Sequence, residues 1–345
     1  MKFARLAVSV GCPSGVGPEV SVAAAAKLGA RDRARVLLVG DLAGLRAAAK
    51  AVKVDPAKLV QVDSAAEAWD LPRSRFAVLQ VGGPLGADDR KPGRPSRAGG
   101  AAQLHWIDAA TDLVAAGEAD AIVTGPVSKD AIAHSGAKGS RGFLGHTEHL
   151  AARLGAPEVT MAFHTDVLTT SLVTTHLAIA DVPKAITKKE VARAAFWTAS
   201  FVHRLGVRHR ESRKPRVVVA ALNPHAGENG LLGHEETRTI EPGIELARKR
   251  LAKAKIGVEL VGPVPAESAF RLAAKGEYDA VVAMYHDQAT IPMKLLGFGE
   301  AVNVSLGLPI VRTSVDHGTA YDRAGKGTAD PRGMIEAMRL AVRLV

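Results

Sequence analysis

One cysteine, Cys12, stands in 345 residues. No intramolecular disulfide framework can form, and such usage fits a reducing cytosol. Aromatic residues make up only 4% of the chain, which is thin for the stacking surfaces of a nucleic-acid binder. No apolar run approaches the roughly 18 residues of a membrane span. The opening "MKFARLAVSVG" leads straight into a strand-like run, too short for a secretory signal. These absences set the expectation of a cytoplasmic protein with no nucleic-acid and no membrane partner.

Charge of one sign is in excess: 45 Lys and Arg against 35 Asp and Glu, a formal +10. The basic residues are spread along helical segments such as "ITKKEVARAAF" and "ELARKRLAKAK". A small anionic substrate accounts for that balance better than a nucleic acid does. Hydrophobic residues at 47% and charged residues at 23% give the profile of a globular protein. The length suits two domains.

Val- and Leu-rich runs alternate with Ala-rich helical stretches. "ARVLLVGD", "RFAVLQV", "ADAIVTGP", "VTMAFH", "VLTTSLVTT", "RVVVAALNP", "VELVGPVP" and "DAVVAMYH" read as strands. "LAGLRAAAKAV" and "AAQLHWIDAATDLVAAGE" read as helices. Continuous apolar strands between helices predict an α/β fold whose parallel sheets are covered on both faces. Two long polar loops, residues 86–100 and 316–333, interrupt the pattern. The first is expected to be exposed; the second, close to the end of an α/β chain, is expected to serve a function.

"GCPSGVGPEV", residues 11–20, has the strand–loop–helix setting of a phosphate loop. It lacks the lysine of a Walker loop. Gly15 and Gly17 give the first pair of a dinucleotide fingerprint, but Val20 occupies the third position.

Ligands collect at the carboxyl ends of strands in open α/β sheets. His176, His225 and His286 each follow a strand-like run, as metal ligands or as loop histidines bonded to backbone. Asp287 either orients a neighbouring ligand or caps a turn. "LGHTEHL" reads as a helix start with Thr147 as N-cap, where free amides favour an anion. Lys129, just past the run ending at Thr124, is a base, an anion ligand or a solvated helix residue. Lys294, Asn303 and Arg312 are candidate anion contacts that singly read as surface residues.

Taken together, "LGHTEHLA", "LNPHAGENG", "GPVPAESAF", "AMYHDQ" and "VNVSLGLPIVRTSVDHGTA" resemble the PdxA family of pyridoxal phosphate biosynthesis, the 4-hydroxythreonine-4-phosphate dehydrogenases. The resemblance implies two α/β/α domains of the isocitrate and isopropylmalate dehydrogenase type, with parallel or mixed sheets and a cleft between them. On this chain it places a discontinuous first domain at 1–132 and 303–345. The second, carrying the metal histidines, spans 133–302. It also implies a homodimer whose active site is shared between subunits.

Carried over by position, His176, His225 and His286 match the family's metal ligands. His146, Thr147, Lys294, Asn303 and Arg312 match its substrate-binding positions. The loop at 317–331, beginning His317, Gly318, Thr319, matches its cofactor loop. The opening loop resembles the fold's Gly-Asp-x-x-Gly-x-Gly-Pro-Glu start, with Cys12 where the family usually has Asp. A buried, inert thiol is the preferred reading there.

The implied reaction oxidises 4-phosphooxy-L-threonine at C3 with NAD or NADP, followed by loss of carbon dioxide to give 3-amino-2-oxopropyl phosphate. Lys129, with a proton-transfer or carboxylate role, and Asp287 are the candidate catalytic residues. Three imidazoles lean toward zinc or cobalt, with magnesium and manganese open. Alternatives are a dehydrogenase of threonate or erythronate 4-phosphate, an aromatic cis-dihydrodiol dehydrogenase, and a noncatalytic metal- or phosphate-binding protein.

Overall fold

The structure, a computed structural model, describes residues 3–206, 213–297 and 299–345. The chain divides into two compact units. Pro157–Gly307 is one; the stretches ending at Ala156 and resuming at Leu308 make the other.

The first unit holds strands β1 (Ala4–Ser9), β2 (Ala34–Val39), β3 (Leu59–Val62), β4 (Phe76–Leu79), β5 (Ala121–Thr124) and β12 (Val311–Val315). Its α-helices are α1 (Gly17–Lys27), α2 (Leu42–Ala51), α3 (Ala65–Asp70), α4 (Arg97–Ala115), α5 (Lys129–Ala133), α6 (His146–Arg153) and α12 (Arg332–Leu344). The strand order is β3-β4-β2-β1-β5-β12, and each of these pairings is parallel. Leu6, Val8, Leu37, Val39, Ile122 and Val123 are sealed from solvent, as strands covered on both faces require. On α12, Met334, Met338 and Ala341 are buried at helical spacing. The Thr313 hydroxyl donates to the Ala337 carbonyl at 2.8 Å and ties that helix to β12.

The second unit holds β6 (Thr160–His164), β7 (Thr169–Leu172), β8 (Arg216–Ala220), β9 (Glu259–Val264), β10 (Ala280–Ala283) and β11 (Val302–Leu306). Its helices are α7 (Val182–Ala185), α8 (Lys188–Leu205), α9 (Glu241–Lys253), α10 (Ala266–Ala274) and α11 (His286–Gly297). The order β11-β6-β7-β10-β8-β9 is mixed: β6 runs antiparallel to both β11 and β7, and the rest are parallel. The connection from His164 to Thr169 is too short for a crossover, so β6 and β7 form a hairpin. One apolar cluster, with Val191, Ala195 and Val202 of α8 against Val217, Val219 and Val282, lies on one side of the sheet. A second, with Phe270 and Met293 against Val218 and Val281, lies on the other.

The joins differ from those expected at 132/133 and 302/303. Residues 133–156 stay with the first unit because Phe143 and Leu150 pack on Leu104 and Ile107 of α4. Val302–Leu306 stays with the second because β11 pairs with β6.

Candidate active site

The opening loop is built for close backbone contact. A β-carbon at Gly15 would stand 2.6 Å from the Thr319 carbonyl oxygen. Gly11, at φ +80°, lies with its α-carbon against the Pro126 carbonyl, a conformation that favours glycine. Val16 donates its amide to the Thr319 carbonyl at 2.9 Å. Gly15 and the Val16 amide therefore seat the chain against the loop at 317–331, and Gly11 seats it against Pro126. Cys12 is buried, its sulfur 3.6 Å from the Tyr321 hydroxyl. Burial raises the thiol's pKa, which keeps it protonated and a poor nucleophile. His317 and Gly318 are exposed, and a β-carbon at Gly318 would meet nothing within 4 Å. That leaves room beside these residues for a ligand.

A cluster of cations and imidazoles gathers around the start of α6. Gly145, not Thr147, is the N-cap, and no side chain caps this end. Thr147 is the second residue of the helix and is buried. The Lys129 ammonium lies 3.6 Å from where a β-carbon of Gly145 would stand, because Ser128 caps α5 and starts that helix at Lys129. Arg312, expected at the surface, is 3% exposed on β12. Its Nε and Nη2 donate to the Thr124 hydroxyl at 3.2 and 2.8 Å. Burial lowers its pKa to about 9 despite the opposing field of Glu148. A guanidinium so placed remains charged at neutral pH.

His146 begins α6. Its ring is half-buried, but Nε2 is closed off from solvent without a hydrogen-bond partner in the chain. Burial, aided by Arg312, His149 and Lys129, holds its pKa well below 6.5. The ring is therefore neutral and can donate or accept without adding charge. His149, one turn on, pairs its Nε2 with Asp108 at 2.6 Å, and Phe143 lies beside both rings.

That depressed pKa has a signed consequence. The native state binds fewer protons than the unfolded chain, so this stability contribution is whole above pH 6.5 and drains as pH falls toward the folded value. The thermal midpoint of the wild type is expected to fall more than that of His146→Asn between about pH 7 and about pH 5.5. Parallel curves would remove the sealed imidazole from the account.

The second unit brings two of the three expected metal histidines together. The rings of His176 and His286 have centroids 5.4 Å apart. Thr174 fixes one segment to the other, its hydroxyl donating to the Met284 carbonyl at 2.7 Å. The Nδ1 of His286 meets Asp287 Oδ1 at 2.7 Å, which leaves Nε2 as the nitrogen for a ligand. Gln288 ties the start of α11 to the end of β8: it accepts from the Met284 amide at 2.7 Å and donates to the Ala221 carbonyl at 2.9 Å.

His225 opens a left-handed turn. His225, Ala226, Gly227, Glu228 and Asn229 all have φ between 45° and 78°. For non-glycine residues this costs about 1–2 kcal/mol each. Glu236, 2% exposed, supports the turn by accepting the amides of Leu222 and Asn223 at 2.9 and 2.8 Å. Among the described residues, no three His, Cys, Asp or Glu side chains of one chain form a group that could hold a metal. The imidazole pair nonetheless has the donor chemistry for two positions on one divalent cation. Lys294 is exposed on α11, and Asn303 is half-buried on β11 opposite Phe163.

Sequence reasoning missed Thr124, Asn223, Glu236 and Gln288. A strand-terminal Thr in "IVTGP" and the paired acids of "GHEETR" are the available signals for two of them.

Two α/β units, one with a buried guanidinium beside a sealed imidazole and the other with an oriented imidazole pair, define an α/β enzyme. The family described as Pyridoxal phosphate biosynthetic protein PdxA matches residues 32–341. A 4-hydroxythreonine-4-phosphate dehydrogenase of Trichlorobacter lovleyi is 41% identical over 344 residues, 99% of this chain and 97% of that protein. A D-threonate 4-phosphate dehydrogenase of Cupriavidus necator is 38% identical over 340 residues, 98% of this chain and 96% of that one. The crystal structure of 4-hydroxythreonine-4-phosphate dehydrogenase from Klebsiella pneumoniae matches with a TM-score of 0.83 at 34% identity, covering 99% of both chains. The chain belongs to the PdxA family and is an oxidoreductase. Membership implies a nicotinamide cofactor and a divalent metal. Among the described residues no helix is long and apolar enough to cross a membrane.

Proposed function

We propose that this enzyme oxidises 4-phosphooxy-L-threonine at C3 with NAD or NADP and releases carbon dioxide and 3-amino-2-oxopropyl phosphate, in pyridoxal phosphate biosynthesis. The observation that carries this reading is the buried Arg312 beside neutral His146 and Lys129 at the uncapped start of α6. Donors there suit a phosphate: a guanidinium already desolvated, an ammonium and the positive end of a helix. Thr147 adds a hydroxyl in the first turn. In the second unit, Lys294 and Asn303 contact the substrate. Holding the phosphate fixes the carbinol carbon, which lowers the entropic part of the barrier.

His176, His225 and His286 would hold the divalent cation, zinc or cobalt ahead of magnesium or manganese. Residues 317–331, through His317, Gly318 and Thr319, would hold the nicotinamide. When bound, the cation supplies Lewis acidity and the nicotinamide a hydride acceptor. Asp287 holds the His286 ring at Nδ1. Lys129 takes a proton or meets the substrate carboxylate.

The protein works as a cytoplasmic homodimer in this reading. A second copy supplying His225 completes a set that one chain leaves at two. Apolar side chains near the imidazoles in sequence support it: Leu177, Ile179, Ile291 and Leu295 are 48%, 69%, 58% and 80% exposed.

A second reading, oxidation of a phosphorylated sugar acid, is favoured by the 38% identity to the Cupriavidus enzyme. Initial rates of NAD(P) reduction with 4-phosphooxy-L-threonine, D-threonate 4-phosphate, erythronate 4-phosphate and a cis-dihydrodiol separate the readings. The phosphorylated amino acid is expected to have the highest kcat/KM. A threonate phosphate turned over at least about tenfold better would transfer the assignment, and sedimentation as a monomer at assay concentration would end the shared-site part.

A further inference from the structure

Glu19 has no part in the reaction above, yet its side chain is 3% exposed in the first turn of α1. Its two carboxylate oxygens accept the amides of Gly325 and Gly327, the latter at 2.9 Å. Both glycines lie in the loop at 317–331. The same loop is held at Thr319 by the Val16 amide, at 2.9 Å. It is held again at Tyr321, whose hydroxyl sits 3.6 Å from the Cys12 sulfur. On its far side, Gly325 packs on Pro92, 2.8 Å from an added β-carbon.

The pairing is needed from both directions. A buried carboxylate must find donors. Two amides presented together by a glycine turn form a concavity that calls for an anion. Here the anion comes from the protein itself. Lifting the loop end would strand the carboxylate and both amides at once. The opening motif, which fits no nucleotide-loop pattern, supplies a clamp instead of a ligand site.

We propose that Glu19 is a positioning residue for the nicotinamide cofactor, fixing the shape of the loop at 317–331 through Gly325 and Gly327. This rests on the reading of that loop as the cofactor loop. Glu19 touches neither cofactor nor substrate and acts through the loop backbone.

Glu19→Gln tests it with the side chain's size unchanged. The amide NH2 of glutamine must face one of the two loop amides, donor against donor. In the metal-loaded enzyme, KM for NAD or NADP is expected to rise about tenfold, the scale of one lost hydrogen bond to a charged group. The substrate KM and kcat at saturating cofactor should stay within about twofold. Hydrogen exchange at the 325 and 327 amides should accelerate. Glu19→Asp, which keeps the charge but retreats by one methylene, should recover part of the cofactor KM, and it carries the same comparison if the glutamine variant does not fold. An unchanged cofactor KM alongside faster loop exchange would overturn the proposal, as would a fall in kcat alone. Added NAD or NADP should also slow exchange across 317–331 in the wild type. If neither does, the cofactor reading of the loop is what fails; if one does and the Glu19→Gln KM is unmoved, only the role of Glu19 falls.

Discussion

Arg312→Met is expected to lose about a thousandfold in kcat/KM while folding as well as the wild type or better. The two effects have opposite signs because burying a guanidinium opposes folding. Its environment already lowers the Arg312 pKa to about 9, a direct sign that desolvation works against the charged form. An apolar side chain of similar length removes that cost, and such replacements are often neutral or stabilising. The Thr124 hydroxyl loses its guanidinium donor, which limits the gain. Activity goes the other way, because truncating one partner of a desolvated charge pair costs about 2–5 kcal/mol or more. Steady-state kinetics and thermal melts on one preparation check both halves. Retention of kcat/KM within tenfold would take Arg312 out of the phosphate site.

His225→Gly should give the second large separation. The side chain is exposed and opens a turn at φ 52°. Glycine accepts that backbone without penalty, so the variant should gain about 1 kcal/mol of stability. His225→Ala, with no change in backbone preference, should melt within about 0.5 kcal/mol of wild type. Both should lose activity by at least about a thousandfold and bind less divalent metal per chain. A His225→Ala enzyme active at wild-type rates, or wild-type turnover undiminished in metal-depleted buffer, would remove the three-imidazole centre. The left-handed turn is strain held in place at a functional position.

The apolar runs foretold the α/β class because a doubly covered strand must be apolar along its length, and Leu37–Val39 and Val217–Val219 are. They could not tell β6 and β7 apart from parallel strands, since the antiparallel pairing follows from a short connection and not from composition. Thr147 has the chemistry of a cap, but the cap is Gly145, two residues earlier, and the helix begins at His146. Burial of Arg312 was invisible because it depends on β5 and β12 lying side by side, 188 positions apart in the chain. The turn at 225–229 depends on Glu236 reaching back to Leu222 and Asn223. No local pattern encodes that reach. The left-handed run also contradicts the preference of four of its five residues. The imidazole pair was legible as strand-end histidines, while the fixed orientation of His286 needed the Asp287 distance.

The order in which the units are threaded also sets a timetable for synthesis. Pro157–Gly307 is contiguous and is translated whole before Val311–Val315 exists. Until that last strand emerges, β5 has an open edge, and Thr124 waits for the guanidinium that will cover it. On the ribosome the interior unit can therefore finish first, while the half-built cluster around Arg312 stays incomplete until nearly the end of this sequence.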